Sequence, residues 1–456
     1  MSSSLAAGMV TPAAPAGWVS DVHYGRWLNF ILGLCLVMTF TPDALDYSTL
    51  DRVGTMTGES YGFVARVQWF PLFGIGFLLC LMRWRLAWAL LGKMNPFLIL
   101  AVVWIFASTL WSFDPGISLR RAIKILGMGM VVFGFFLFNW SPMGAIRVWR
   151  NTCALLIVAS IVFVVVQPQY GIHQGFAEPG LKGAWRGITT HKNALGILCA
   201  MATMTWVHAW ATRDLPLRYC LPVLMAIVVC LVGCKSTTGM VTSFLSAGVV
   251  VYLLRMPPFT RSAGFLLSIV ALLAALLCLL FVFTGVPTVS EALAAAAGGV
   301  GKDAGLTGRD LIWGAVLDEV TKHPWLGTGY NAFWISQDLS SPSADVIRTI
   351  KFAPLQAHNG YLEILNELGI IGLGLLFGFL GYQFWQLKRL YRVDRSVATL
   401  GIAYMVYDLM LNISESNFLR PTFAPSLVEW VVVIMTARAV LHYQWLAASQ
   451  GAARER

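Results

Sequence analysis

Apolar runs of about 17–25 residues, each long enough to cross a bilayer as a helix, recur along nearly the whole chain with short polar connections between them. Their spacing predicts twelve spans, near residues 26–43, 63–82, 96–111, 122–139, 151–167, 193–211, 219–233, 239–254, 263–285, 360–386, 397–411 and 424–446. The runs are continuous rather than alternating, which argues against a β-barrel. One interval breaks the rhythm. Residues 286–359 form a long polar excursion, and within it Ile312, Ala315, Val316 and Val320 fall at amphipathic helical spacing. The predicted fold class is all-α, a polytopic inner-membrane protein with about 12 transmembrane helices and a long periplasmic loop between the ninth and tenth. The predicted organisation is a disordered cytoplasmic tail (1–25), nine spans (26–285), the periplasmic loop (286–359), three spans (360–446) and a charged cytoplasmic tail (447–456).

Composition supports the membrane reading. Of 456 residues, 57% are hydrophobic and 12% charged, where a soluble protein carries about a quarter charged residues. The net charge of +10 does not point to nucleic acid, because the basic residues sit in every second connection. Arg83 and Arg85, Arg147 and Arg150, Arg213 and Arg218, Arg255 and Arg261, and Lys388 to Arg395 alternate with less basic loops. By the positive-inside rule those connections are cytoplasmic. Both termini then lie inside, and loops 168–192 and 286–359 lie outside. Met1 to Gly25 lacks the basic start and cleavage site of a signal peptide. The eight cysteines, Cys35 to Cys278, lie in or beside apolar runs with no disulfide framework or metal spacing, and read as small packing residues.

The external polar clusters carry the candidate chemistry. Arg186, His191, Lys192 and Asn193 crowd the start of one span. Asn193 is placed to cap that helix, and helix N-termini attract anions. Basic residues are scarce on the outer side, so snorkelling alone explains them poorly. Thr307 with Asp310 fits a capping box, which puts Arg309 in a first turn, where a cation opposes the helix dipole. His358 and Asn359 precede the tenth span, with Glu363 one turn on and Asn366 and Glu367 deeper. A neutral His358 is suited to accept a proton from a hydroxyl. Arg120, in the loop after the third span, is a further candidate substrate contact. Ser236 to Thr238, and Ser414, Glu415 and Ser416, mark two more external turns that either line the same cavity or satisfy backbone groups. No Gly-rich phosphate loop, HExxH or paired Asp-x-Asp motif stands out. A metal-independent reaction without a cofactor is therefore expected.

At these residues the chain resembles the O-antigen ligase/polymerase superfamily, which holds O-antigen ligases, Wzy-type polymerases and exopolysaccharide polymerases of the ExoQ kind. The stretches that carry the resemblance are Trp111-Ser112-x-Asp114-Pro115, Arg186-Gly187 with His191-Lys192-Asn193-Ala194-Leu195-Gly196, and Thr307-Gly308-Arg309-x-x-x-Trp313. They continue with His323-Pro324-Trp325-Leu326-Gly327-x-Gly329 and His358-Asn359-Gly360-Tyr361-Leu362-Glu363, running on to Gly369-x-x-Gly372. Their order and spacing from roughly 100 to 420 are specific as a set.

The resemblance implies a GT-C-type glycosyltransferase. It would move a glycan from an undecaprenyl-diphosphate donor in the periplasm to an acceptor hydroxyl on a glycan or lipid A core, without metal and with inversion. By the same resemblance Arg186 and Arg309 look like diphosphate-binding arginines and His358 like the essential histidine. His191, Lys192, Asn193, Asn359, Glu363 and Arg120 are candidate substrate contacts beside them. Leu373 follows Gly372 where the ligases usually have Thr, and the Thr-Gly-Arg and His-Pro-Trp pieces resemble the exopolysaccharide polymerases more. A polymerase is therefore expected, with an O-antigen ligase or protein O-oligosaccharyltransferase as the alternative. A flippase or transporter of lipid-linked sugar would carry its charges near the midplane, whereas these gather at the external edge.

Overall fold

Proline and short polar side chains set where the helices begin. Asn95 accepts from the Phe97 N–H, Asp114 from the Ile117 N–H and Asp394 from the Val397 N–H. Each thereby satisfies a donor that the first helical turn leaves without an internal partner. Pro96, Pro115 and Pro142 stand at first positions, where the missing N–H costs nothing. The computed structural model describes residues 22–48, 50, 61–139, 141–175, 179–255, 309–334, 343–344, 348 and 356–454.

The longer helices are α1 (Val22–Phe40), α2 (Tyr61–Met82), α3 (Trp84–Leu91), α4 (Pro96–Ala107), α5 (Pro115–Phe138), α6 (Pro142–Val166) and α7 (Lys192–Ala211). They continue with α8 (Leu217–Cys234), α9 (Thr237–Arg255), α10 (Arg309–Lys322), α11 (Gly360–Leu390), α12 (Arg395–Ser414) and α13 (Ala424–Arg454). The protein is an all-α, multi-pass membrane protein. Among the described residues eight helices are long and apolar enough to cross a bilayer. The count is nine if α2 and α3, bent by 96° at Arg83, form one span, and Gly25–Phe40 and Pro96–Leu110 are shorter apolar helices. The expected ninth span, 263–285, and most of the excursion, including Thr307, lie outside the described residues.

Helix ends differ from the apolar runs where caps, not hydropathy, decide them. α5 starts at Pro115 rather than near 122, so Arg120 and Arg121 belong to a helix and not to a loop. α6 starts at Pro142 rather than near 151, and α13 runs on to Arg454 through most of the expected tail.

α11 is broken inside. Gly369 has φ +68° and ψ −171°, a conformation essentially reserved for glycine. The break frees backbone groups that a membrane interior cannot solvate. The Asn366 carbonyl accepts from the Thr328 N–H (2.9 Å), that of Glu367 from the Gly329 N–H (2.9 Å) and that of Leu368 from the Trp104 indole (3.1 Å). On the far side the Ile370 N–H donates to the Pro324 carbonyl at 2.9 Å. Segment 323–329 is thus the splint of the broken helix. Its glycines are required by contact: a Cβ on Gly327 would lie 2.4 Å from the Glu367 backbone, and one on Gly329 would lie 2.4 Å from Ser112.

Two sets of long-range hydrogen bonds lie at opposite ends of the bundle. One set joins Tyr47 to Ile188, Asn193 to Glu415, Thr238 to Ser414 and Ser118 to Tyr330. The other joins Arg83 to Leu137, Arg147 and Arg150 to Asp214, Arg255 to Trp210 and Tyr391 to Leu253. The first end holds the polar loops and His358, and the second holds the short basic connections.

Candidate functional site

His358 is held in the left-handed region, φ +53°, a strained place for a residue with a Cβ. Its neighbours fix it there. The Ala357 N–H donates to Glu363 Oε2 (2.6 Å) and the Asn359 N–H to Ser416 Oγ (3.1 Å). Asn359 Oδ1 caps α11, accepting from the N–H groups of Tyr361 (3.1 Å) and Leu362 (3.0 Å). Glu363 is buried and also accepts from the Trp334 indole (2.6 Å) and the Ser416 hydroxyl (3.0 Å), and it pairs with Arg420 at 2.6 Å. Burial opposes the Arg420 charge, but Glu363 and Glu367 outweigh it and raise the guanidinium above its ordinary value. Asn359 and Glu363 therefore bind the protein to itself and set the backbone on either side of His358.

The imidazole faces a second carboxylate. Glu415 closes the end of α12, and its Oε2 lies 3.5 Å from His358 Nδ1. The same oxygen accepts from Gln356 Nε2 at 2.9 Å, while Oε1 accepts from Asn193 Nδ2 at 2.7 Å. Gln356 is itself oriented, because its Oε1 accepts from the Ser416 N–H at 3.1 Å. Asn193 Oδ1 accepts from the Ser236 hydroxyl at 3.3 Å. Glu415 thus ties the starts of α7 and α11 to the end of α12. It is nearly buried, with 6% of its side chain exposed against 29% for His358.

The loop before α7 carries the other cations. Arg186 is fully buried, its Nε donating to the Tyr170 carbonyl at 2.5 Å. The Tyr47 hydroxyl donates to the Ile188 carbonyl (2.7 Å). Burial pushes that hydroxyl up to about 12 even though the Arg186 charge works the other way. Helix α7 is capped by His191, whose Nδ1 accepts from the Asn193 N–H at 3.2 Å. Asn193, expected to be the cap, lies inside the first turn instead, which leaves its amide free to reach Glu415. The Lys192 N–H donates to His173 Nε2 at 3.1 Å, and the His173 and His191 rings meet edge to face.

Arg309 is the first residue of α10, and its side chain lies outside the described residues. Trp313, one turn later on the same stripe, donates from its indole to the Ala357 carbonyl at 2.8 Å. Ile312, Val316, Phe333, Trp334 and Ala357 form a small separate core beneath that bond. The start of α10 is thereby docked beside His358. Arg120 lies on α5 next to Arg121, which is itself within electrostatic reach of Arg420 and Glu367. Arg120 is exposed, in a cluster with Arg66, Arg121 and Lys124. Burial raises the Asp43 carboxyl there, and Lys124 beside it offsets part of the rise. Arg121 is bonded to the Asn331 carbonyl and, at 2.6 Å, to its side-chain oxygen.

Sequence reasoning missed Gln356, Arg420 and the role of Glu415. Ser414-Glu415-Ser416 did stand out as a polar turn, whereas Gln356 and Arg420 gave no signal. Among the described residues no three His, Cys, Asp or Glu side chains are grouped as metal ligands would be. Between α4 and α11 lies a small apolar recess lined by Leu98, Ala101, Trp104, Ile364 and Leu368.

Fold and site together define a polytopic helical protein whose polar network is gathered at one edge of the membrane. Residues 221–377 match the family model described as O-antigen ligase. The chain is also 26% identical over 328 residues to the exopolysaccharide production protein ExoQ of Rhizobium meliloti (strain 1021), covering 67% of this chain and 70% of that protein. By both matches the chain is similar to the O-antigen ligase/polymerase superfamily, the one its sequence motifs resemble.

Proposed function

We propose that this protein is a glycosyltransferase of the bacterial inner membrane, with its site facing the periplasm. It moves a glycan from an undecaprenyl-diphosphate carrier to an acceptor hydroxyl. The observation that carries this reading is the docking of α10 against Ala357. It brings the Arg309 end of one helix and the start of α7 around His358 at a single edge of the bundle. In the reaction, His358 takes the proton of the acceptor hydroxyl as that oxygen attacks the anomeric carbon. The bond from that carbon to the diphosphate breaks on the opposite face, which inverts the centre. The electron pair leaves with the diphosphate, whose growing charge is met by guanidinium groups. Arg309 stands at the start of α10. Arg186, buried in the loop before α7 with its Nε on the Tyr170 carbonyl, supplies a second positive charge. Lys192 and His191 line the approach.

Polymerisation is the preferred activity, supported by the similarity to an exopolysaccharide production protein over two thirds of the chain. Purified protein given lipid-linked repeat units alone is expected to yield a ladder of lengths. A single transfer, made only when lipid A core is added, identifies a ligase. Wild-type transfer by Arg186→Ala, Arg309→Ala and His358→Ala would remove the site assignment altogether.

A further inference from the structure

We propose that Glu415 is a positioning residue that sets the tautomer of His358 and balances the charge the ring acquires. This rests on the reading of His358 as the proton acceptor. For Nε2 to take a proton from the acceptor hydroxyl, Nδ1 must already hold one, and an Nδ1–H needs something to donate to. Glu415 Oε2 stands 3.5 Å from Nδ1, long for a resting bond but of the kind that shortens once substrate is bound. When the proton arrives at Nε2, the ring becomes an imidazolium whose Nδ1–H faces a carboxylate rather than solvent. Proton and electron pair are accounted for: the hydroxyl proton ends on Nε2, the new bond joins oxygen to the anomeric carbon, and the diphosphate departs with the old bonding pair.

Three features make Glu415 more than a neighbour. Its Oε1 is held by Asn193 at 2.7 Å, so the carboxylate cannot swing away. Gln356 Nε2 donates to Oε2 at 2.9 Å and lies 3.2 Å from Nδ1, while its own oxygen is fixed by the Ser416 N–H. The amide thereby offers the resting, neutral ring a donor for the other tautomer, and Glu415 favours the reactive one. Finally, Glu363, the other carboxylate near His358, is already paired with Arg420 and turned to the Ala357 N–H. Glu415 is therefore the carboxylate that answers the imidazolium.

The test uses full-length protein in lipid vesicles, with lipid-diphosphate-linked oligosaccharide purified from the producing bacterium. Glu415→Gln keeps the shape and removes the charge. It is expected to lower kcat about a hundredfold while the donor KM stays within about threefold. Glu415→Asp is expected to recover at least about a tenth of the wild-type kcat, because the charge is kept. Should Glu415→Gln fail to accumulate in membranes, Asn193→Ala takes its place, with a kcat loss of about fivefold or more at unchanged KM expected from freeing Oε1. A wild-type kcat in Glu415→Gln, or in Asn193→Ala where it stands in, overturns the proposal, as does equal inactivity of Asp and Gln variants. If that occurs while His358→Ala is inactive, only this inference fails. If His358→Ala is active, the proton-acceptor reading fails first.

Discussion

The two ends of the bundle use arginine in opposite ways. At the Arg83 end, guanidinium groups lie over rings: Arg83 over Phe138 at 4.0 Å, Arg255 over Trp210 at 4.9 Å, Arg389 over Trp385 at 4.7 Å. Several also donate to carbonyls at helix C-termini, as Arg255 does to Trp210 and Arg83 to Leu137. These are anchors, where a cation complements the helix dipole and an aromatic face shields it. At the His358 end, cations engage polar atoms. Arg420 meets Glu363, Arg121 meets Asn331 and Arg186 meets the Tyr170 carbonyl. Arg309 stands at a helix start, where the dipole is unfavourable to a cation.

The sharpest way to break that contrast is at His358 and the arginines beside it. His358→Ala is expected to slow transfer by at least about a hundredfold, read from product formation at matched protein in the membrane. Arg309→Ala and Arg186→Ala are expected to be comparably impaired. The next effect is on folding. Gly369→Ala places a Cβ 2.1 Å from the Trp325 carbonyl oxygen in a backbone conformation that other residues avoid. The loss should reach roughly 2–5 kcal/mol, visible as a lowered Tm in detergent. At the opposite end Arg255→Ala should cost only about 0.5–1 kcal/mol and leave transfer at the wild-type rate. A large loss of rate there would show that the two ends are not separable.

The smallest effect concerns Asp214. Burial pushes its carboxyl up, but hydrogen bonds from Arg147 (2.7 Å) and Arg150 (2.6 Å) outweigh it and hold the group below the usual carboxylate range. Its contribution is therefore present above the unfolded value and is lost as pH falls through the lower folded one. Wild type should lose up to about 1 kcal/mol more than Asp214→Asn on acidification below about pH 4, measured as the difference in Tm.

Sequence pattern located the membrane spans because hydropathy reports bilayer thickness directly. Eleven of the twelve expected spans have a helix at their place, of which eight, or nine with the bent α2–α3 pair, are long and apolar enough to cross a bilayer, and the twelfth lies outside the described residues. Helix ends were less legible, since Asp114 and Pro115 start α5 well before its apolar run. The polar turns at 186–193, 358–363 and 414–416 were visible as polarity where a membrane chain cannot easily carry it. Their connections were not. Asn193 and Glu415 are 222 residues apart, and no spacing rule reaches that far. The His-Pro-Trp-Leu-Gly segment stood out as a motif, but its work as a splint depends on the break at Gly369, which an apolar run conceals.

The turn at residue 358 decides which replacements are informative. A positive φ there is cheap for glycine and tolerable for asparagine, and expensive for valine or isoleucine. A branched side chain would unseat Ala357 and Asn359 from Glu363 and Ser416, so its inactivity would report a deformed loop. His358→Asn keeps the bend and discards the imidazole, and isolates the chemistry of the ring from the shape of the chain.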